Sequence, residues 1–151
     1  MTEPLFQRGA VVFDIHSTDK EAAIKEIVSR AKVFAAISCK ERFIDAIFER
    51  EGEKCTGVGH GAAVANGKLP EFTKAKIALG ISRRGIDYGS FDGKPVHLLF
   101  IVASESLIQE DYIKMMGALA RIVRDEDFHK ELLSSADEEE AEEKVIQYYS
   151  P

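Results

Sequence analysis

The apolar residues in the first third of the chain change from an alternating spacing to a helical one. Val11, Phe13 and Ile15 occupy alternate positions, which is typical of a short strand. Apolar residues at helical spacing then predict two amphipathic helices, over about residues 18–34 and 38–52. Each begins with a serine or threonine followed three residues later by glutamate, which is the pattern of a capping box: Thr18 with Glu21 and Ser38 with Glu41.

The middle of the chain is predicted to form strands and its last third helices. Residues 75–81 alternate between apolar and polar positions, and residues 96–103 are almost continuously apolar, as in a central strand covered on both faces. Helical spacing returns over residues 111–124, again after Asp125, and from about Asp137 to Tyr148. With no repeat and no linker, residues 1–151 are expected to form a single α/β domain.

Composition and charge narrow the classes of function. The 151 residues are 45% hydrophobic and 30% charged, with a net charge of −6 and no basic stripe, so nucleic acid is not an expected partner. No apolar run reaches the ~20 residues of a membrane span, so no membrane insertion is expected. The start of the chain lacks a leader pattern, and two cysteines suit a reducing compartment, so a cytoplasmic location is expected. The acidic run 137–143 is expected to be a solvated helix face.

The segment Thr56-Gly57-Val58-Gly59-His60-Gly61 is a candidate for anion binding. Glycines allow positive φ and close approach of the backbone, and a loop of this kind can direct several N–H groups at one anion. The segment lacks the Gly-Lys-Ser/Thr ending of nucleotide hydrolases and the dinucleotide-binding pattern. A purely structural cluster of turns is the alternative interpretation.

The four histidines give no pair with catalytic or metal-binding spacing. His97 lies in the apolar strand and is expected to be a strand histidine with one satisfied nitrogen, whereas His16 and His129 have no partner suggested by spacing. The intervals between Cys39, Cys55 and His60 match no common zinc pattern, so neither a metal nor another cofactor is expected. Downstream, Asn66-Gly67 is typical of a tight turn.

Several segments together resemble one protein family. Arg50-Glu51, then Thr56-Gly57-Val58-Gly59, then Ala63-Val64-Ala65-Asn66-Gly67-Lys68-Leu69 are similar to the enzyme IIA domain of the fructose–mannitol–nitrogen type, which belongs to the bacterial phosphoenolpyruvate-dependent sugar phosphotransferase system. Gly85-Ile86-Asp87-Tyr88 and the segment 91–96 also match, and the resemblance covers roughly Ala22 to Tyr148. It implies an α/β/α sandwich with a mixed central sheet and helices on both faces.

The resemblance also implies a phosphoryl relay. In this family a histidine-containing phosphocarrier protein phosphorylates one histidine of the IIA domain, which passes the group to a IIB domain or, in the nitrogen branch, serves as a regulatory signal. Such chemistry needs a neutral imidazole nitrogen as nucleophile and donors for the phosphoryl oxygens. The resemblance gives the phosphate-binding role here to Arg50, Thr56, Gly57, Gly59 and Gly61.

The chain departs from the family pattern at the acceptor. The accepting histidine falls on Asn66, the proline before it on Ala65, and the second histidine on Tyr112. An amide nitrogen is not nucleophilic, because its lone pair is delocalised into the carbonyl group. Tyr112 can donate a hydrogen bond, which is only a supporting role. Arg50 and Tyr112 are expected to lie near Asn66 in a shallow depression.

Three functions remain open at this point. The first is a degenerate IIA-like module that binds a protein partner without relaying phosphate: the phosphocarrier protein, a IIB domain or a regulatory target. The second is an active carrier that uses His60, six positions before Asn66, as a displaced acceptor. The third is an anion sensor, in which Arg50 and the amides of the glycine segment bind phosphate reversibly.

Overall fold

A mixed sheet of five strands, in the order β1-β4-β5-β3-β2, forms the centre of the described structure. The structure is a computed structural model that describes residues 6–53, 57–72, 75–90, 92–105 and 110–148. The strands are β1 Val11–Phe13, β2 Gly57–Gly59, β3 Ala62–Lys68, β4 Lys76–Ile86 and β5 Val96–Ser104. β1 is parallel to β4 and β3 is parallel to β5, while the β4–β5 and β2–β3 pairs are antiparallel.

Helices cover both faces of this sheet. The helices are α1 Lys20–Arg30, α2 Lys40–Glu53, α3 Glu110–Arg124, α4 Glu126–Leu133 and α5 Glu138–Tyr148. One buried cluster joins α1 and α2 to the sheet, and a second joins α3, α4 and α5 to the opposite face. β3 serves both clusters through alternate residues, with Ala63 and Ala65 in the first and Ala62 and Val64 in the second. The predicted α/β/α sandwich is confirmed.

Neither predicted capping box forms. Asp19, not Thr18, is the N-cap of α1, and its side chain accepts a hydrogen bond from the Ala22 N–H at 2.9 Å. Ser38 donates from Oγ to Glu71 Oε1 at 2.8 Å instead of capping α2. The first helix also stops at Arg30, before a short 3₁₀ turn. A capping pattern does not register tertiary partners, and Glu71 is such a partner for the Ser38 hydroxyl group.

The tight turn predicted at Asn66-Gly67 is wrong. Both residues lie inside β3, where Asn66 pairs with Val102 and Gly67 with Ala103 of β5. Gly67 is needed for close packing rather than for turning, since a Cβ there would lie 2.6 Å from Phe43 Cε1 of α2. The hairpin turn before β3 is instead made by His60 and Gly61, at φ values of 56° and 74°. A ladder with a distant strand therefore overrides the local preference of Asn-Gly.

The acidic run 137–143 predicts a solvated helix face, and the start of α5 is only partly such a face. Glu138 accepts a hydrogen bond from the Phe13 N–H at 3.0 Å, and Glu142 accepts one from the Gly9 N–H at 2.7 Å. Strand β1 is at one edge of the sheet, so these carboxylates satisfy donors that no neighbouring strand uses. Glu139 and Glu140 remain exposed, as expected.

Glu26 joins helix α1 to the loop that follows β1. Its carboxylate accepts hydrogen bonds from the Ser17 hydroxyl at 2.8 Å, from the Ser17 N–H at 2.9 Å and from the His16 N–H at 3.1 Å, and it pairs with Arg30. Burial by itself would raise the pKa of this carboxyl group. The hydrogen bonds from Ser17 and His16, together with the Arg30 guanidinium, outweigh burial and lower the pKa to about 2.

Glu26→Gln is expected to lower the free energy of unfolding at pH 7 by about 2 kcal/mol, since charge-assisted hydrogen bonds are lost. The folded pKa lies below the ordinary value of 4.5, so this stabilisation is complete above pH 4.5 and is lost as the pH falls toward 2. Urea unfolding from pH 7 to pH 3 should therefore show the variant and the native chain converging. The exposed Glu21→Gln is the control, and a pH-independent gap between Glu26→Gln and the native chain would contradict the prediction.

Candidate functional site

Asn66, onto which the acceptor histidine of the family falls, lies near the carboxyl end of the parallel strands β3 and β5. Asn66 pairs with Val102, two residues before the end of β5, and the chain then passes through residues 105–109 into α3. Alternation along β3 places Asn66 on the sheet face that α3 covers, opposite to that of Ala65. Tyr112 is in the first turn of α3, and its side chain lies outside the described residues. The topology therefore brings Asn66 and this helical turn to one edge of the sheet.

The side chain at this position is buried. Asn66 is only 4% exposed, so its amide lies beneath the surface rather than in an open depression. A phosphoryl acceptor must present a nucleophilic atom in line with the donor. Asn66 does not provide that nucleophile, because the lone pair of its amide nitrogen is delocalised into the carbonyl group.

Arg50 lies in α2, which packs on the other face of β3. A Cβ added at Gly67 would meet Phe43 and Ile47, which fixes α2 against this end of the strand. The Nε atom of Arg50 is buried and has no hydrogen-bond partner in the described part of the chain. It is therefore a donor that an anion can satisfy, because a buried N–H without a partner is costly. The expected proximity of Arg50 to Asn66 stays a prediction.

An ion pair and a tyrosine hold the residue next to Arg50. Glu51 is 8% exposed, accepts a hydrogen bond from the Tyr88 hydroxyl at 3.0 Å, and has Lys20 Nζ 2.8 Å from its Oε2. Lys20 Nζ also lies 4.6 Å from the centroid of the Tyr88 ring. These contacts fix the last turn of α2 and hence the backbone of Arg50. Sequence reasoning missed them, although Glu51 and Tyr88 both lie in the segments that carry the family resemblance.

The glycine segment forms a hairpin. Gly57 and Gly59 belong to β2, and Gly61 completes the turn into β3, where its carbonyl accepts hydrogen bonds from the N–H groups of His97 and Leu98. Gly59 and Gly61 have φ values of 84° and 74°, a region that glycine enters at low cost. Thr56 lies outside the described residues. The positive φ values favour the structural interpretation of these glycines, and their role toward phosphate stays a prediction.

His60 and Asn66 are not brought together. His60 is in the turn before β3, and the four steps from Ala62 to Asn66 span about 13 Å at 3.3 Å per residue. The imidazole is half exposed, with Nδ1 3.6 Å from Glu126 Oε1 at the start of α4. A phosphoryl group on His60 would therefore sit at the opposite end of β3, so the geometry does not favour a displaced acceptor.

The histidines at positions 97 and 129 have structural partners. Nδ1 of His97 lies 2.8 Å from the Ser82 carbonyl oxygen, which agrees with the prediction of a strand histidine with one satisfied nitrogen. His129, for which spacing suggests no partner, is buried, and its Nε2 lies 2.6 Å from the Ile122 carbonyl oxygen. No sequence pattern predicts this contact, because it joins a backbone carbonyl near the end of α3 to a side chain in α4. Among the described residues, no group of three His, Cys, Asp or Glu side chains could hold a metal ion.

Comparison with known families decides the identity of the domain. The family model described as "Phosphoenolpyruvate-dependent sugar phosphotransferase system, EIIA 2" matches residues 4–148. The chain belongs to this family. The resemblance inferred from Arg50-Glu51 and the glycine segment is thereby confirmed, and the chain is an enzyme IIA-like component of this system.

Relatives of this IIA domain carry two kinds of name. It is 34% identical over 116 residues to a PTS system fructose-specific EIIA component of Haloferax volcanii, covering 77% of this chain and 75% of that protein. It is 30% identical over 128 residues to a nitrogen regulatory protein of Bradyrhizobium diazoefficiens, covering 85% and 83%. A fructose-specific EIIABC component of Bacillus subtilis is 30% identical over 135 residues, 89% of this chain but only 21% of that longer protein.

Solved structures share the fold of this IIA domain. The nitrogen regulatory protein IIA-Ntr of Neisseria meningitidis superimposes with a TM-score of 0.80 at 21% identity, over 93% of this chain and 96% of that chain. IIA mannitol of Escherichia coli gives a TM-score of 0.72 at 18% identity, over 93% and 98%. Another neighbour, at TM-score 0.72 and 18% identity over 94% and 97%, is the complex of the E. coli mannitol enzyme IIA with phosphorylated enzyme IIB. In the described part of the IIA domain, no helix is long and apolar enough to cross a membrane.

Proposed function

We propose that this IIA domain has lost the phosphoryl relay and acts as a binding and regulatory module of the phosphotransferase system. The observation that carries the proposal is the residue at the family's acceptor position. Asn66 stands there, and its amide is 4% exposed. A buried amide cannot attack the phosphorus of a phosphohistidine donor, because it lacks a free lone pair on nitrogen.

The second departure supports the same conclusion. Tyr112 occupies the position of the family's second histidine, in the helix that begins at the same edge of the sheet as Asn66. A phenol with an ordinary pKa near 10 cannot take over the acid–base work of an imidazole at neutral pH. Loss of both imidazoles in an otherwise matched domain is simpler to explain by loss of the relay than by two independent changes.

The partner we propose is a cytoplasmic protein of this system: the phosphocarrier protein, a IIB domain or a regulatory target. The complex of the E. coli mannitol enzymes shows that one structural neighbour binds a IIB protein. In the IIA domain described here, Ile113 is 62% exposed in the first turn of α3, beside the edge that carries Asn66. An exposed apolar residue at that place suits a protein contact that no longer transfers a phosphoryl group.

Arg50 supports a second candidate, reversible anion sensing. Its buried Nε lacks a partner in the described structure, and a guanidinium is the side chain best suited to a phosphate. Isothermal titration calorimetry of the purified chain with inorganic phosphate tests this candidate. A flat titration would remove it, and heat that disappears in Arg50→Gln would support it.

The native chain is expected to acquire no phosphoryl group when it is incubated with phosphoenolpyruvate and the general carrier proteins. Intact mass at mildly alkaline pH measures this directly, because phosphohistidine survives there. A histidine-bearing relative in the same mixture must become phosphorylated as the positive control. A phosphoryl adduct on the native chain would contradict the proposal, and its loss in His60→Ala would identify the displaced acceptor.

A further inference from the structure

A polar cleft of about 600 Å³ lies at one end of the strands, opposite to the end that carries Asn66. It is formed where α1 begins, where β4 ends and where the chain turns toward β5, and its lining includes Asp19, Arg84 and Lys94. Ile86 at this end of β4 pairs with Val96, the first residue of β5, whereas Asn66 pairs with Val102. The length of β5 therefore separates the cleft from the family's acceptor position. Its volume is in the range of small-molecule sites, about 300–1,000 Å³.

Two cations line the cleft. Arg84 and Lys94 are exposed, and within the described ranges neither forms an ion pair. Most of the other basic residues around α1 and α5 do have carboxylate partners, for example Lys20 with Glu51 and Arg30 with Glu26. Two cations without a partner in one cleft favour an anionic ligand group, and the guanidinium can hold such a group with two parallel hydrogen bonds.

The same cleft presents groups that suit hydroxyls. Asp19 and Asp87 contribute carboxylates, and Asp19 uses only Oδ1 to cap α1. The Ser90 hydroxyl oxygen is buried and has no hydrogen-bond partner among the residues described. Gly89 and Gly93 leave open space where a side chain would project, since no atom lies within 4 Å of a Cβ built on either of them. The site is thus roomy, polar and incompletely hydrogen-bonded.

We propose that this cleft binds a phosphorylated sugar. Arg84 and Lys94 would hold the phosphoryl group, while Asp19, Asp87 and the Ser90 hydroxyl would bind sugar hydroxyls. A ligand that is only an anion would leave two carboxylates facing its charge, and a neutral sugar would leave both cations unused. A molecule with one anionic end and several hydroxyls uses the whole lining. The inference goes beyond the proposed function and does not depend on whether Asn66 accepts a phosphoryl group.

Calorimetric titration of the full chain tests this site, with fructose 1-phosphate and glucose 6-phosphate as probes and fructose and inorganic phosphate as partial ligands. At least one sugar phosphate is expected to bind more tightly than either partial ligand. Arg84→Gln with Lys94→Gln should weaken that binding at least about tenfold, as the loss of charge-assisted hydrogen bonds predicts. Asp87→Asn should weaken the sugar phosphate but not inorganic phosphate.

Controls separate this cleft from the rest of the molecule. Lys114→Gln removes an exposed lysine of α3 and should leave binding unchanged, and Arg50→Gln tests the family's own site. All substituted residues of the cleft are exposed, so equal melting temperatures are expected and are to be verified. The proposal is overturned by absence of binding, by binding that survives the Arg84 and Lys94 substitutions, by loss of binding in Arg50→Gln instead, or by inorganic phosphate binding as tightly as the sugar phosphates.

Discussion

Asn66→His together with Tyr112→His is expected to give this IIA domain a phosphoryl adduct that the native chain does not acquire. The two substitutions return an imidazole to the end of β3 and another to the first turn of α3. Glu51 holds the last turn of α2 and with it the backbone of Arg50, the residue to which the family resemblance gives a phosphate-binding role. Intact mass after incubation with phosphoenolpyruvate and the carrier proteins should change from no adduct to a majority of singly phosphorylated chain.

Matched variants decide what such a gain means. Asn66→Gln with Tyr112→Phe alters the same two positions without adding an imidazole, so it should remain unphosphorylated. Fragmentation should place the adduct of the histidine variant at position 66. The doubly substituted chain could be folded and yet acquire no phosphoryl group, while a histidine-bearing relative in the same mixture becomes phosphorylated. In that case, the absence of the two imidazoles does not explain why the native chain is not phosphorylated.

Gly67→Val is expected to lower the free energy of unfolding by about 3 kcal/mol, as overpacking of a filled core does. A Cβ at this position would lie 2.6 Å from Phe43 Cε1 and 2.8 Å from Ile47 Cγ1. Both side chains are fully buried, and the Phe43 ring packs edge-on against Phe34 with their centroids 5.3 Å apart, so neither has room to move. Urea denaturation at neutral pH measures the loss.

Gly117→Val is the matched control, because a Cβ there meets no atom within 4 Å on an exposed face of α3. It should change stability by no more than about 0.5 kcal/mol. A double-mutant cycle sharpens the test: Phe43→Ala alone should cost about 3–5 kcal/mol, and adding Gly67→Val should cost less than it does in the native background. Strict additivity of the two would show that the Phe43 ring is not what excludes a side chain at position 67.

The sequence predicted the elements in which the hydrophobic pattern continues over many residues, but it did not predict where those elements end. The alternation over residues 75–81 and the apolar run 96–103 correspond to β4 and β5, which extend further than the pattern does. The local signals failed where a distant partner competes with them. Ser38 bonds to Glu71 rather than to its own helix, and Asn66 joins a ladder with β5 although Asn-Gly favours a turn.

The candidate site was predictable as a set of positions but not as a set of contacts. A family motif locates Asn66 and Arg50 along the chain. It does not give the face of β3 on which the side chain of Asn66 lies, or the face that α2, with Arg50, covers. The link between Lys20, Glu51 and Tyr88 joins three separate elements, and no spacing in the sequence encodes it. The same holds for the cleft around Arg84 and Lys94, whose walls come from α1, β4 and the turn before β5.

The carboxylates of α5 that bind the backbone of β1 and of Gly9 also affect how this chain associates with other molecules. An outer strand with free N–H groups is a template on which a strand of another chain can add, and this is how many sheets begin to aggregate. Glu138 and Glu142 accept hydrogen bonds from the N–H groups of Phe13 and Gly9, so these groups are not available to pair with an added strand. Proteolysis or truncation ahead of α5 would therefore do more than shorten the domain. It would expose unpaired N–H groups along the outer strand and favour aggregation.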